Sequence, residues 1–128
     1  MLQRRRFVRA DAAVPATVAP VLDGQAGPMT MTTLVNLSEG GARCRVDGLS
    51  GLVDAGLAAD GEVELRMSLD AELLLVVGIV IRIIPDVPWT ARDCGELVLA
   101  FEASEQTADK IRRFVMHQQL LARRAAQK

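Results

Sequence analysis

Glu62-Val63-Glu64-Leu65-Arg66-Met67-Ser68-Leu69 alternates polar and apolar residues without a break. A β-strand turns successive side chains to opposite faces. Val63, Leu65, Met67 and Leu69 therefore share one face, and Glu62, Glu64, Arg66 and Ser68 share the other. Such a segment is a strand with one buried wall and one wet wall. Downstream, Leu73 to Ile84 is continuous and β-branched, which predicts a buried strand ended by Pro85-Asp86-Val87-Pro88. Glu96 to Phe101 reads as a last strand. Upstream, Val14 to Leu22 alternates imperfectly and stops at Asp23-Gly24, a turn signal. Met29 to Leu37 is rich in Thr, Met and Val. Ala42 to Val46 alternates cleanly, with Arg43 and Arg45 on one face. Gly48 to Gly61 reads as a loop with room for a helical turn.

The period changes after Ser104, a suitable N-cap with Glu105 in the first turn. Ala108, Ile111, Val115 and Ala122 lie on one helical stripe with Phe114 and Leu121 beside it. The spacing predicts a helix over Glu105–Ala125. Six short strands followed by one helix is not a βαβ pattern. It predicts a six-stranded antiparallel β-barrel over residues 11–103, with a C-terminal α-helix over 104–128 covering a barrel mouth or edge. The chain has 128 residues, enough for one domain, and half of them are apolar. Aromatics are only 3%, so the core is expected to be aliphatic.

Charge is unevenly placed. Residues 1–10 carry Arg4, Arg5, Arg6 and Arg9 and no acid, and residues 110–128 carry six cations and no acid. All 16 acids lie between Asp11 and Asp109, against five arginines. Basic ends on an acidic body suggest an anion met by the termini, beside the plainer reading of a basic tail and a solvated helix face. The longest apolar run, Leu73 to Ile81, is nine residues, against about 20 for a membrane span. No membrane insertion is expected. Arg4-Arg5-Arg6 resembles a twin-arginine export motif, but Asp11, Pro15 and Pro20 interrupt the weakly apolar stretch beyond it, so a cytoplasmic location is expected. Cys44 and Cys94 are expected as ordinary thiols.

Catalytic constellations are missing from the pattern. His117 is the single histidine and lies inside the amphipathic helix, so no Ser-His-Asp triad and no zinc site is expected. No Gly-rich phosphate loop is present. The chain is expected not to be an enzyme and to use no cofactor.

Two segments carry recognition chemistry. Arg5-Arg6-Phe7-Val8-Arg9 presents planar forks that grip phosphate or a guanine edge bidentately. Asn36-Leu37-Ser38-Glu39-Gly40-Gly41 offers an amide and a hydroxyl beside two glycines, which permit positive φ and close approach of a ligand or backbone. Each alone is weak, since a basic tail and a hairpin turn explain them equally. In this order they resemble the PilZ domain family, whose signature is R-x-x-x-R followed by [D/N]-x-S-x-x-G. The continuation Ala42-Arg43 is similar too.

The resemblance implies a six-stranded barrel with a C-terminal helix and a receptor for the dianionic nucleotide cyclic di-GMP. It implies that Arg5 and Arg9, with Arg4 or Arg6 assisting, clamp phosphates and guanine edges from a flexible arm over residues 1–10. Asn36 is implied to bond a guanine, Ser38 to contact base or phosphate, and Gly41 to keep the turn open. Trp89 is a candidate for stacking on a guanine, against the plainer role of shielding the barrel rim. Ligand binding would order the arm and change the surface shown to a protein effector. A homodimer through the long helix is compatible, and DNA is not an expected partner. One departure matters: relatives carry glycine in an L-G-V-x-F last strand where Leu97-Val98-Leu99-Ala100-Phe101 places Val98. That residue keeps open the alternative of a PilZ-fold interaction module that binds no nucleotide.

Overall fold

Two-residue turns set the order in which the strands meet. The computed structural model describes residues 13–85 and 93–126. Strand β1 (Val14–Leu22) turns at Asp23-Gly24, with φ of 52° and 77°, into a short strand β2 (Gln25–Ala26). Strands β3 (Thr30–Ser38) and β4 (Gly41–Asp47) form the next hairpin. After a short helix α1 (Leu49–Asp54), β5 (Glu62–Leu69) and β6 (Glu72–Pro85) are joined by Asp70-Ala71 at φ of 51° and 67°. Both of these turns have two central residues at positive φ, the geometry that matches strand twist. Strand β7 (Cys94–Glu102) and helix α2 (Glu105–Ala126) complete the chain.

The sheet runs β1-β3-β4-β7-β6-β5, all antiparallel, and β5 returns to pair with β1 from Ala16↔Met67 to Val21↔Glu62. The result is a closed six-stranded barrel, as expected, with β2 added at the end of β1. Closure removes exposed strand edges. Val63, Leu65, Met67 and Leu69 all face inward and are buried, as the alternation predicts. Leu34, Leu37, Cys44, Val46, Val80 and Leu97 complete the centre.

Each barrel end has its own plug. Leu49 and Leu52 of α1 are buried in the core, and Asp93 holds that helix by accepting from the Ser50 amide and hydroxyl. At the other end, Ile111, Phe114 and Val115 of α2 enter the core. Ser104 caps α2 by accepting from the Thr107 amide at 3.2 Å, as its sequence position predicts.

Three details differ from expectation. Leu73 and Leu75 of β6 are 68% and 54% exposed, so that strand is buried on one face only. A strand in a closed barrel always has an outer face, and here no described residue covers it. The apolar stripe of α2 is used only as far as Val115; Leu121 and Ala122 are exposed because the helix runs past the barrel rim. The strand β2 is too short, at two residues, to leave a periodic signal.

Candidate functional site

A strand with strict alternation would send Asn36 to the same side as Leu34, into the core. A β-bulge between Leu34 and Asn36 changes the phase. Leu34 and Leu37 are both fully buried, while Val35 and Asn36 lie between them on the outer side. Bulges re-aim side chains in this way beside functional sites. Asn36 then stands opposite Arg43 of β4, and Arg43 opposite Val98 of β7. One row across three strands therefore reads amide, guanidinium, isopropyl.

A shallow cleft of about 280 Å³ lies over this row, lined by Asn36, Ser38, Gly41, Arg43, Val98 and Ala100 among others. The structure thus brings together all three residues expected from the second signature segment. It gives two of them work in the turn itself. Ser38 is 4% exposed, and its hydroxyl accepts from the Gly40 amide at 3.2 Å and lies 3.4 Å from the Gly41 carbonyl. Gly41 does not use positive φ; a Cβ there would overlap the Leu99 carbonyl oxygen of β7. Its role is to let two backbones approach, while the Phe101 amide donates to the Gly40 carbonyl at 2.9 Å. Arg4, Arg5, Arg6, Arg9 and Trp89 lie outside the described residues.

Electrostatics around the cleft are set by two ion pairs. Arg43 pairs with Glu96, one pleat along β7 from Val98. Glu39, at the tip of the turn, accepts two hydrogen bonds from Arg112 of α2, both 2.8 Å. Those bonds hold the Glu39 carboxyl below the usual carboxylate range and raise Arg112 further. Asp109 also accepts from Arg112 at 2.9 Å. Sequence spacing signals Arg43 through its place in an alternating strand. It gives no signal for Glu39 and Arg112, which are distant in the chain, nor for Glu96.

Among the described residues no group of three or more His, Cys, Asp or Glu side chains is placed to hold a metal ion. Cys44 and Cys94 are both buried thiols. No described helix is long and apolar enough to cross a membrane.

Residues 3–117 match the PilZ domain family, a span that includes both signature segments. The chain belongs to the PilZ domain family. Solved structures agree on the fold. The PilZ domain of YcgR from Escherichia coli, solved with c-di-GMP, superposes with a TM-score of 0.67 at 18% identity, covering 98% of this chain and 99% of that one. The MrkH–c-di-GMP complex of K. pneumonia gives 0.71 at 15% identity, covering 97% of this chain and 56% of that one. The Bacillus subtilis inhibitor of motility (MotI/DgrA) gives 0.67 at 19%, covering 93% and 53%. This PilZ chain thus spans about half the length of the last two proteins. A comparison with curated protein sequences gives no match.

Val98 stands where the resemblance to the family implies a glycine. Its side chain sits on the outer wall and lines the cleft.

Proposed function

We propose that this PilZ domain is a cyclic di-GMP receptor that acts in the cytoplasm, performs no chemistry and passes a conformational signal to a protein effector. The observation that carries the reading is the row Asn36–Arg43–Val98 under an open cleft, in a chain whose N-terminal Arg5 and Arg9 complete the family signature. Asn36 has the donor and acceptor that a guanine edge requires, and Arg43 has the fork that a phosphodiester or guanine takes. Arg5 and Arg9, helped by Arg4 or Arg6, supply the rest of the cationic clamp that the signature implies. A dianion between such forks is attracted strongly at short range and weakly beyond about 8 Å in physiological salt. Relatives solved with the same nucleotide support the reading. The turn bearing the signature is also joined to α2 by Glu39 and Arg112, which gives a ligand at the cleft a route to a second surface.

Val98 favours a second reading, an interaction module without nucleotide, because it narrows the face that glycine leaves open in relatives. Calorimetric titration with cyclic di-GMP separates the two. The receptor reading expects saturable binding, micromolar or tighter, that disappears in an Arg5→Ala, Arg9→Ala double variant. No heat and no thermal stabilisation of the folded wild type would overturn the receptor reading and leave the second.

A further inference from the structure

The row that begins at Asn36 does not end at Val98. In β6 a second β-bulge lies between Val80 and Arg82, and Arg82 stands in register with Val98. The phase change has the same consequence as in β3. Val80 is fully buried and Ile83 packs against the core, so strict alternation would drive Arg82 into the barrel. The bulge instead leaves Ile81 and Arg82 side by side on the outer wall, both exposed. The two bulges among the described residues thus fall on one cross-strand row, and each turns a polar side chain outward: Asn36 at one end, Arg82 at the other.

The guanidinium of Arg82 differs from its neighbours. Arg43 is held by Glu96, and Arg112 by Glu39 and Asp109. Arg82 makes no ion pair with a described residue. Its Cα lies two strand spacings from that of Arg43, roughly 10 Å, with the apolar side chain of Val98 between them. Two forks flanking a small apolar floor suit a ligand with an anionic group beside a flat, weakly polar face, as a nucleotide has in its phosphodiester and its base.

We propose that the ligand face of this domain extends across β7 to Arg82, which takes a phosphodiester or guanine edge of a cyclic dinucleotide on the far side of Val98. The assignment rests on the nucleotide reading of the cleft. It also gives Val98 a role, as the floor between Arg43 and Arg82 rather than an obstruction.

The test is a calorimetric titration of cyclic di-GMP into wild type, Arg82→Ala and Arg66→Ala, with melting temperatures measured without ligand. Arg66 is an exposed arginine on β5, away from the row. A charge-assisted contact predicts that Arg82→Ala weakens binding by about tenfold or more, while Arg66→Ala binds as wild type and both variants melt as wild type. Should Arg82→Ala lower the melting point, Arg82→Gln, which keeps most of the side-chain stem, carries the same comparison. Wild-type affinity in the Arg82 variants, beside a wild type that binds, would overturn the extension and leave the receptor reading standing. A folded wild type that does not bind would overturn both.

Discussion

Arg112 grips Glu39 through two parallel hydrogen bonds, Nε to Oε1 and Nη2 to Oε2, across 73 residues of chain. Fork-to-fork geometry of this kind fixes orientation as well as distance. The pair is solvent-exposed, so its effect on global stability is small. Its consequence is positional: it ties the turn that carries the family signature to the helix that plugs the barrel.

Arg112→Ala should therefore leave the melting temperature nearly unchanged and speed amide exchange at Glu39–Gly41 and in the first turns of α2. The effect should depend on pH. Glu39 is held ionised below the usual carboxylate range by Arg112, so the clasp is intact above that range and is lost as pH falls through the lowered value. Hydrogen exchange of wild type and variant should differ near neutrality and converge in acid. A difference that persists in acid would contradict the assignment.

Gly41 is a packing position. Gly41→Ala must push β4 away from the Leu99 carbonyl of β7, at an expected cost of about 1–3 kcal/mol. Urea denaturation measures it. The same change at Gly51, where a Cβ meets nothing within 4 Å, should not destabilise the fold. Equal effects at the two positions would count against the close approach seen at Gly41.

The β5–β6 turn places Ala71 at φ 67°, a conformation that costs a residue with a Cβ about 1–2 kcal/mol. Ala71→Gly relieves that strain and makes the unfolded chain more flexible, so the net gain is smaller. The expected melting temperature rises by roughly 2–4 °C. A decrease would mean that the turn does not need two positive φ values.

Burial pushes the Cys44 thiol up from 9.0 to about 12. The folded chain keeps this proton where the unfolded chain gives it up, so the thiol contributes a loss of stability as pH rises from about 9 towards 12. Comparing urea midpoints at pH 8 and 10 for wild type and Cys44→Ala isolates this contribution: the alkaline decrease should be larger in wild type. Native Cys44 should also resist alkylation at pH 8. Rapid labelling of the folded protein would contradict its burial.

Much of the barrel could be read along the chain because strand alternation is local. Val63, Leu65, Met67 and Leu69 declare the inner wall of β5, and Ser104 declares the start of α2. The errors have one cause. Leu73, Leu75 and Leu121 are apolar, and apolarity in sequence does not say whether a neighbouring element arrives to cover it. The lining of the candidate cleft was legible where a motif marks it, as at Asn36, Ser38 and Gly41. It was not legible where register decides. Alternation marks Arg43 as outward-facing, but only the bulges after Leu34 and Val80 bring Asn36, Val98 and Arg82 into line with it. Long-range pairs such as Glu39 with Arg112 leave no periodic trace.

Amide chemical shifts recorded during a titration with cyclic di-GMP test the central claim most directly, since they report both whether the nucleotide binds and where. The account predicts saturable shifts concentrated at Asn36, Gly40–Arg43 and Val98–Ala100, with smaller shifts reaching the first turns of α2 through Glu39. An unchanged spectrum at saturating nucleotide, or shifts confined to the opposite wall around Met31 and Leu73, would contradict it.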